Sequence, residues 1–316
     1  MHRTTGRWQF GLVLTLITVF MWGSLPIPLK ILVGVVDAVT ITWFRFLVAS
    51  LLLGAWLAWR GRLPSLRKLS RTELALLAIS IVGLAGNYVL YLLGLEHISP
   101  GAAQVVIQLA PMFLLLGGLI VFHERFGAVQ WLGFAILCGG LVLYFHDRLR
   151  DLFAGSYGVG VVMVVVAGAM WAAYAMAQKQ LLKAMPSEVI MFCIYAASVV
   201  LFLPASHPTH LAQLDGVQIA LLIYACLNTI VAYGCFAEAL DHWEASRVSA
   251  VLAITPLLTL VFVSWLAQLA PGVLPPEGLD ALSVAGACIV VVGSALSALA
   301  PRGRAAAELA EAPRGE

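Results

Sequence analysis

The sequence predicts an all-α integral membrane protein of ten transmembrane helices, built as two inverted-topology five-helix repeats. Three observations carry this reading. Of the 316 residues, 62% are hydrophobic and 11% charged, whereas soluble domains carry about 25% charged residues. Ten stretches reach or approach the roughly 20 residues that a helix needs to cross the hydrocarbon core, and they are apolar around their whole circumference rather than along one stripe. Lysine and arginine also collect in alternate connections between those stretches.

Taken in order, the first stretch, 10–29, follows Arg3 and Arg7 as a signal peptide would. It is too long, lacks a small-residue cleavage site and precedes nine similar segments, so it is kept as a span. The second, 39–59, stops at Arg60 and Arg62, and the third, 73–94, follows Arg71. The fourth, 101–122, ends at His123-Glu124-Arg125, and the fifth, 128–145, carries Gly133 and Gly140. The sixth, 157–177, carries Trp171 and is closed by Lys179 and Lys183; the seventh and eighth are 188–204 and 216–240. The ninth, 248–269, follows Arg247, and the tenth, 279–299, carries Gly286 and Gly293.

With the N-terminus inside, the inner segments hold Arg3, Arg7, Arg60, Arg62, Arg67, Lys68, Arg71, Arg125, Lys179, Lys183, Arg247, Arg302, Arg304 and Arg314, and the outer ones only Lys30, Arg148 and Arg150. Arg45 lies within a span. The positive-inside rule therefore predicts that both termini are cytoplasmic, in a multi-pass protein of the plasma (inner) membrane. The two halves are 1–147 and 148–300, and the Ala-, Arg-, Glu- and Pro-rich 301–316 reads as a disordered cytoplasmic tail. The basic residues are dispersed over loops and the net charge is +2, which leaves nucleic-acid binding unsupported. The cysteines, Cys138, Cys193, Cys226, Cys235 and Cys288, fall inside spans without disulfide or zinc spacing and read as small core residues.

The halves repeat. Tyr88, Leu95, His97, Val106 and Pro111 match Tyr233, Leu240, His242, Val251 and Pro256 at one constant offset, and Glu96 faces Asp241 in that register. At a slightly longer offset Trp22 and Lys30 meet Trp171 and Lys179, and later Gly133 and Gly140 meet Gly286 and Gly293. Five spans per half is an odd number, so the second half enters the membrane in the opposite sense. Such inverted repeats are a recurrent plan for secondary transporters.

Trp22-Gly23-Ser24 with Lys30 and Arg45, the run His97-Ile98-Ser99-Pro100-Gly101-Ala102, Pro111, and His123-Glu124-Arg125 followed by Gly133 and Gly140 together resemble the drug/metabolite transporter superfamily, in its ten-span EamA branch. The resemblance covers nearly the whole chain. It departs in the second half, where Ala172 follows Trp171, Ile194 stands in the place of Arg45, and Glu277 is only a loose counterpart of Glu124. It implies export or exchange of small organic solutes, amino acids and related metabolites prominent, along a path between the halves.

The residues themselves offer a path and an alternative at each position. Gln104, Gln108 and Pro111 share a face of the fourth span, and Asn87 and Tyr91 a face of the third. Polar groups at membrane depth mark a solute path unless they bond to neighbouring helices. Trp22 with Thr15 and Thr18, and Trp171 with Tyr174 and Gln178, form corresponding stripes that can stack on a solute or anchor at the interface. Arg45 can grip a solute carboxylate or phosphate at the outer mouth, or snorkel to the interface. Glu238 can exchange a proton during transport or pair with a cation. Pro111 and Pro256, mid-span at equivalent positions, are candidate hinges, and the paired glycines read as close-packed scaffold. His207 and His210, next to Pro208, read as solvated loop residues rather than metal ligands.

No phosphate-binding loop, nucleophile motif or metal cluster is recognisable in the sequence, so the reading is a non-enzyme that needs no cofactor. The expected partners are a small organic solute and the lipid bilayer, with a homodimer one candidate working unit. The alternatives are multidrug efflux and a non-transporting sensor or scaffold.

Overall fold

The computed structural model describes residues 7–64, 69–121, 127–153, 155–274 and 277–299, and among these the regular structure is helical, with no strand. The tail 301–316, His123-Glu124-Arg125 and the pair Pro275 and Pro276 lie outside the described residues. The first half holds α1 (Trp8–Ser24), α2 (Pro26–Leu32), α3 (Ala38–Trp59), α4 (Arg71–His97), α5 (Pro100–Val106), α6 (Leu109–Val121) and α7 (Ala128–Tyr144). After the short α8 (Leu149–Phe153) come α9 (Ser156–Leu181), α10 (Ser187–Phe202), α11 (Gly216–His242), α12 (Ala245–Leu252), α13 (Thr255–Leu269) and α14 (Ala281–Leu299). The pairs α1/α2, α5/α6 and α12/α13 are each one span with an internal break. Among the described residues nine spans are long and apolar enough to cross a membrane, and the shorter apolar α7 makes ten.

Helix starts repeat between the halves. Ser70 and Glu73 form a capping box at the start of α4, with bonds of 2.7 and 3.3 Å. Asp215 and Gln218 form the same box at the start of α11, with bonds of 3.0 and 2.8 Å. These two boxes stand at the offset that aligns Tyr88 with Tyr233, so a start signal satisfying orphan N–H groups is duplicated along with the spans.

The packing obeys the same repeat. α4 lies along α9, and α1 along α11, which is the equivalent pair with the halves exchanged. α3 packs on α10, α7 on α14, and α5 on α13, each span against its own repeat partner. Between α7 and α14 the approach is backbone to backbone. A Cβ placed on Gly133 would stand 2.8 Å from the Gly293 carbonyl oxygen, and one on Gly140 2.9 Å from that of Gly286. Small residues are required there, in keeping with the scaffold reading of these glycines.

All three breaks fall at prolines. Pro26 and Pro28 interrupt the first span, a break the sequence reading did not anticipate. In the fourth and ninth spans the helix breaks at 107–108 and 253–254, just before Pro111 and Pro256. Pro111 cannot donate to the Ile107 carbonyl, which takes the Ala110 N–H instead at 2.9 Å. The Leu252 carbonyl, freed by Pro256, accepts the Thr255 hydroxyl at 2.5 Å.

Candidate functional site

Between the halves lies a cavity of about 240 Å3. It sits where the three broken spans meet, because a break turns backbone and polar side chains inward that a continuous helix would keep paired. Of the residues singled out from the sequence, Trp22, Arg45, Asn87, Tyr91, Gln104, Gln108, Pro111 and Trp171 form part of its wall.

Arg45 on α3 is the cation of this wall. It is 2% exposed, so it does not snorkel to an interface. Its Nε donates to Thr229 Oγ1 at 3.1 Å, and its guanidinium carbon lies 4.7 Å from the centroid of the Tyr88 ring. Among the described residues no carboxylate lies within ion-pair distance of it. A guanidinium carries five donors in a fixed fork, and here one donates to a described residue.

Two of the amides, Asn87 and Gln108, are tied across the halves, and the third, Gln104, is tied within its own half. Asn87 Nδ2 donates to the Ala167 carbonyl at 2.9 Å, and Tyr91 OH donates to Gln104 Oε1 at 2.9 Å. Gln108 Nε2 donates to the Ala253 carbonyl at 2.9 Å, so the break in the fourth span satisfies a carbonyl freed by the break in the ninth. Helix-to-helix bonding, the structural alternative weighed for these groups, is therefore present at the cavity wall itself. One flank is aromatic, where Trp22 meets Tyr233 edge-on at 5.4 Å and Phe236 at 5.6 Å between centroids.

Six singled-out residues stand elsewhere. Tyr174 is buried one turn further along α9, in the apolar cluster with Tyr88, its hydroxyl 3.3 Å from Met191 Sδ. Gln178 reaches Ser187 at 3.4 Å, at the turn into α10. The stripe on α9 thus leaves the cavity after Trp171, because its next members lie nearer the C-terminal end of α9, where Met191 and Ser187 of α10 take up their polar atoms. Glu238 has a side chain 56% exposed and pairs with His242 at 3.1 Å. Pro256 is buried on α13 off the wall. Thr15 and Thr18, grouped with Trp22, bond back to the Gly11 and Leu14 carbonyls at 2.7 and 3.0 Å.

The sequence reading missed Tyr88, Asn228, Tyr233, Phe236 and Ser249 as wall residues. Tyr88 and Tyr233 had served only as markers of the repeat, although their recurrence was itself a usable signal. Asn228, whose amide donates to the Met21 carbonyl beside the first break, is a polar residue at mid-span depth that the same rule for Asn87 would have found.

The two ends of the cavity differ. Toward the end carrying 33–37, 98–99, 270–274 and 277–280, here the distal face, the wall is Leu29, Leu92 and Gln104, all buried. Toward the N-terminal face the wall reaches Ser249, an exposed residue on α12.

The EamA-like transporter family profile matches residues 9–145 and 158–299. An uncharacterized transporter of Haemophilus influenzae is 38% identical over 291 residues, 92% of this chain and 94% of that one. The uncharacterized inner membrane transporter YhbE of Escherichia coli K12 is 38% identical over 295 residues, 92% of each chain. A probable amino-acid metabolite efflux pump of Salmonella typhimurium is 25% identical over 89% of this chain and 92% of its own. A solved crystal structure superposes with a TM-score of 0.62 at 19% identity, covering 91% of this chain and 96% of that one, which supports the fold alone. Both halves match the profile separately, in the register that the packing exchanges, and this membrane-spanning chain belongs to the EamA-like transporter family.

Proposed function

We propose that this protein is a secondary transporter of the inner membrane that exports small organic metabolites bearing a carboxylate or phosphate, amino-acid metabolites among them. The observation that carries the proposal is Arg45: a buried guanidinium without a carboxylate partner among the described residues, on the wall of a cavity between two halves. A buried charge is costly unless it is paired, and an anionic solute would supply the partner. Trp22, Trp171 and the aromatic flank would take the apolar part of the solute. The E. coli and Salmonella relatives are named as an inner membrane transporter and an amino-acid metabolite efflux pump, which supports the location and the substrate class.

The path comprises Trp22, Arg45, Asn87, Tyr91, Gln104, Gln108 and Trp171; Tyr174, Gln178 and Glu238 are left out of it. The halves 1–147 and 148–300 are the moving units, Pro111 and Pro256 their hinges, and both termini are cytoplasmic. Access then alternates as the two halves exchange conformations. The cavity volume, about 240 Å3, is below the roughly 300–1,000 Å3 of pockets for drug-sized ligands, which favours metabolites over multidrug efflux.

The test is flux from proteoliposomes loaded with amino acids, sugar phosphates or cationic dyes. Anionic or zwitterionic solutes are expected to move, and Arg45→Gln to abolish that movement while purified yield holds. Transport of cationic dyes with Arg45→Gln unaffected would favour the multidrug reading. Trp171→Ala is expected to lower flux more than yield; losses that track each other would mean packing alone.

A further inference from the structure

Far from the cavity, on the distal face, the structure brings together three metal-ligand side chains that the sequence keeps apart. Asp37 caps the N-terminus of α3 in the first half, while His207 and His210 belong to the connection between α10 and α11 in the second. Asp37 Oδ2 lies 3.8 Å from His207 Nδ1 and 3.4 Å from His210 Nδ1, and the three candidate donor atoms all fall within 4.8 Å of one another. The two imidazoles are stacked, with centroids 5.1 Å apart and planes at 16°.

The grouping is held in place by its surroundings. Asp37 Oδ1 accepts the Thr40 N–H at 2.9 Å, and Thr40 Oγ1 accepts the His207 N–H at 2.7 Å. One residue therefore orients the carboxylate and also fixes the loop that carries the histidines. Oδ1 is thereby engaged, and Oδ2, the oxygen facing both rings, is buried and has no hydrogen-bond partner. A buried carboxylate oxygen with no contact closer than the ring nitrogens at 3.4 and 3.8 Å is an arrangement that a cation between them would tighten.

Two imidazole nitrogens and one carboxylate oxygen, with room for a water, are a donor set of zinc-type sites. Bonds of about 2.0–2.1 Å in a tetrahedron set neighbouring donors about 3.4 Å apart. The 3.4 and 3.8 Å separations between Asp37 and the two histidines fit that edge with small adjustments. Imidazole favours zinc, copper or nickel over the hard cations magnesium and calcium.

We propose that Asp37, His207 and His210 form a binding site for a divalent transition metal of the zinc class, which bridges the two halves on the distal face. Because its ligands come from both halves, an ion binds best when the loop at 33–37 and the loop at 207–210 are together. It therefore stabilises the arrangement in which the distal face is closed. The site rests on the geometry of these loops and not on the transport reading.

The test uses the full-length protein, purified, freed of any histidine tag and stripped of metal. Zinc chloride titrated by calorimetry is expected to bind one ion per chain and to raise the melting temperature; magnesium chloride is expected to do neither. His210→Ala, and separately Asp37→Asn, which preserves the helix cap, should leave the metal-free melting temperature near wild type. Each should weaken zinc binding at least tenfold, since even supporting residues around a metal cost about 10–100-fold when lost. Absence of saturable zinc binding, or binding of equal strength in these variants and in His207→Ala, would overturn the proposal.

Discussion

The two ends of the bundle are held in different ways. The distal face is packed across the cavity by an apolar cluster that includes Leu29, Leu32, Ile41, Leu92, Leu95 and Leu260. Polar bonds then stitch it between the halves. Glu277 accepts the Gly101 N–H at 2.6 Å and His146 lies 3.2 Å from Asp280, each across the halves, while Arg148, within the second half, donates to the Glu277 carbonyl at 2.9 Å and holds that loop. Lys30 donates to the carbonyls of Leu95, Glu96 and Ile98, closing the C-terminal end of α4. At the N-terminal face the second apolar cluster seals only the flank of α3, α4, α9 and α10, through residues such as Leu57, Leu77, Leu181 and Ile190. There the exposed pair Arg62–Glu188 at 3.6 Å joins the halves. The contrast is one of closure: one end of a symmetric plan is packed shut, and the other leaves the cavity wall exposed at Ser249.

The largest expected effect comes from breaking the distal stitch. Glu277→Ala orphans the Gly101 N–H at the start of α5, which costs about 2 kcal/mol or roughly 30-fold in the balance between closed and open distal faces. A cysteine replacing Leu92, a buried wall residue near that face, should then react faster from the distal side. An unchanged rate would remove Glu277 from the closure.

A second effect is expected at the joint between the two breaks. Gln108→Leu leaves the Ala253 carbonyl without its partner, a loss of about 1–2 kcal/mol, and flux should fall more than folded yield. The asymmetry matters, because Ala253 itself stands where Gln108 would repeat. Replacing Thr255 with Val should cost about 1 kcal/mol by removing the hydroxyl that serves the Leu252 carbonyl. Thermal unfolding of the purified variants checks both figures.

Closure should also depend on pH. Burial pushes the Glu277 carboxyl above its ordinary value of 4.5, against the lowering pull of the Gly101 N–H, Ser99, Arg148 and Tyr144. The closed face therefore holds the proton more tightly than the open face. Its contribution to closure is complete below about pH 4.5 and is lost as pH rises through the raised value. Distal labelling of the Leu92 cysteine should increase over that window, and Glu277→Gln should flatten the increase.

Much of this was legible in the chain. The span pattern, the glycines at 133, 140, 286 and 293, and the prolines at 111 and 256 are periodic signals, and each reports a physical need of a helix in lipid. Arg45 and the Gln104 and Gln108 face were found by the cost of polarity at depth. What stayed hidden depends on partners distant in sequence. Nothing in the spacing of His207 and His210 points to Asp37, and no local pattern tells that Gln108 serves a carbonyl in the other half. Tyr174 and Gln178 share a stripe with Trp171 but stand off the cavity wall for a related reason, since a helical stripe does not reveal how far along it the cavity extends. Pro26 and Pro28 were visible, but they lie near a span end, where a break is easily taken for the boundary.

The smallest expected effect concerns the proposed hinges. Pro111→Ala and Pro256→Ala restore one backbone donor each, and about 1 kcal/mol is at stake in either break. The two variants should bias the resting balance in opposite directions; shifts in the same direction would rule out paired hinges.

The central claim, that one cavity is reached from alternate sides, is tested most directly by cysteine accessibility in sealed vesicles of known orientation. On a background lacking the five native cysteines, Ser249→Cys and Leu92→Cys are labelled separately by a membrane-impermeant reagent from each side, with and without a transported solute. The account predicts that Ser249→Cys reacts only from the cytoplasmic side, and that Leu92→Cys is nearly silent at rest and reacts only from outside. A transported solute should change the two rates in opposite directions. Labelling of both positions from the same side, or rates that rise and fall together, would contradict it.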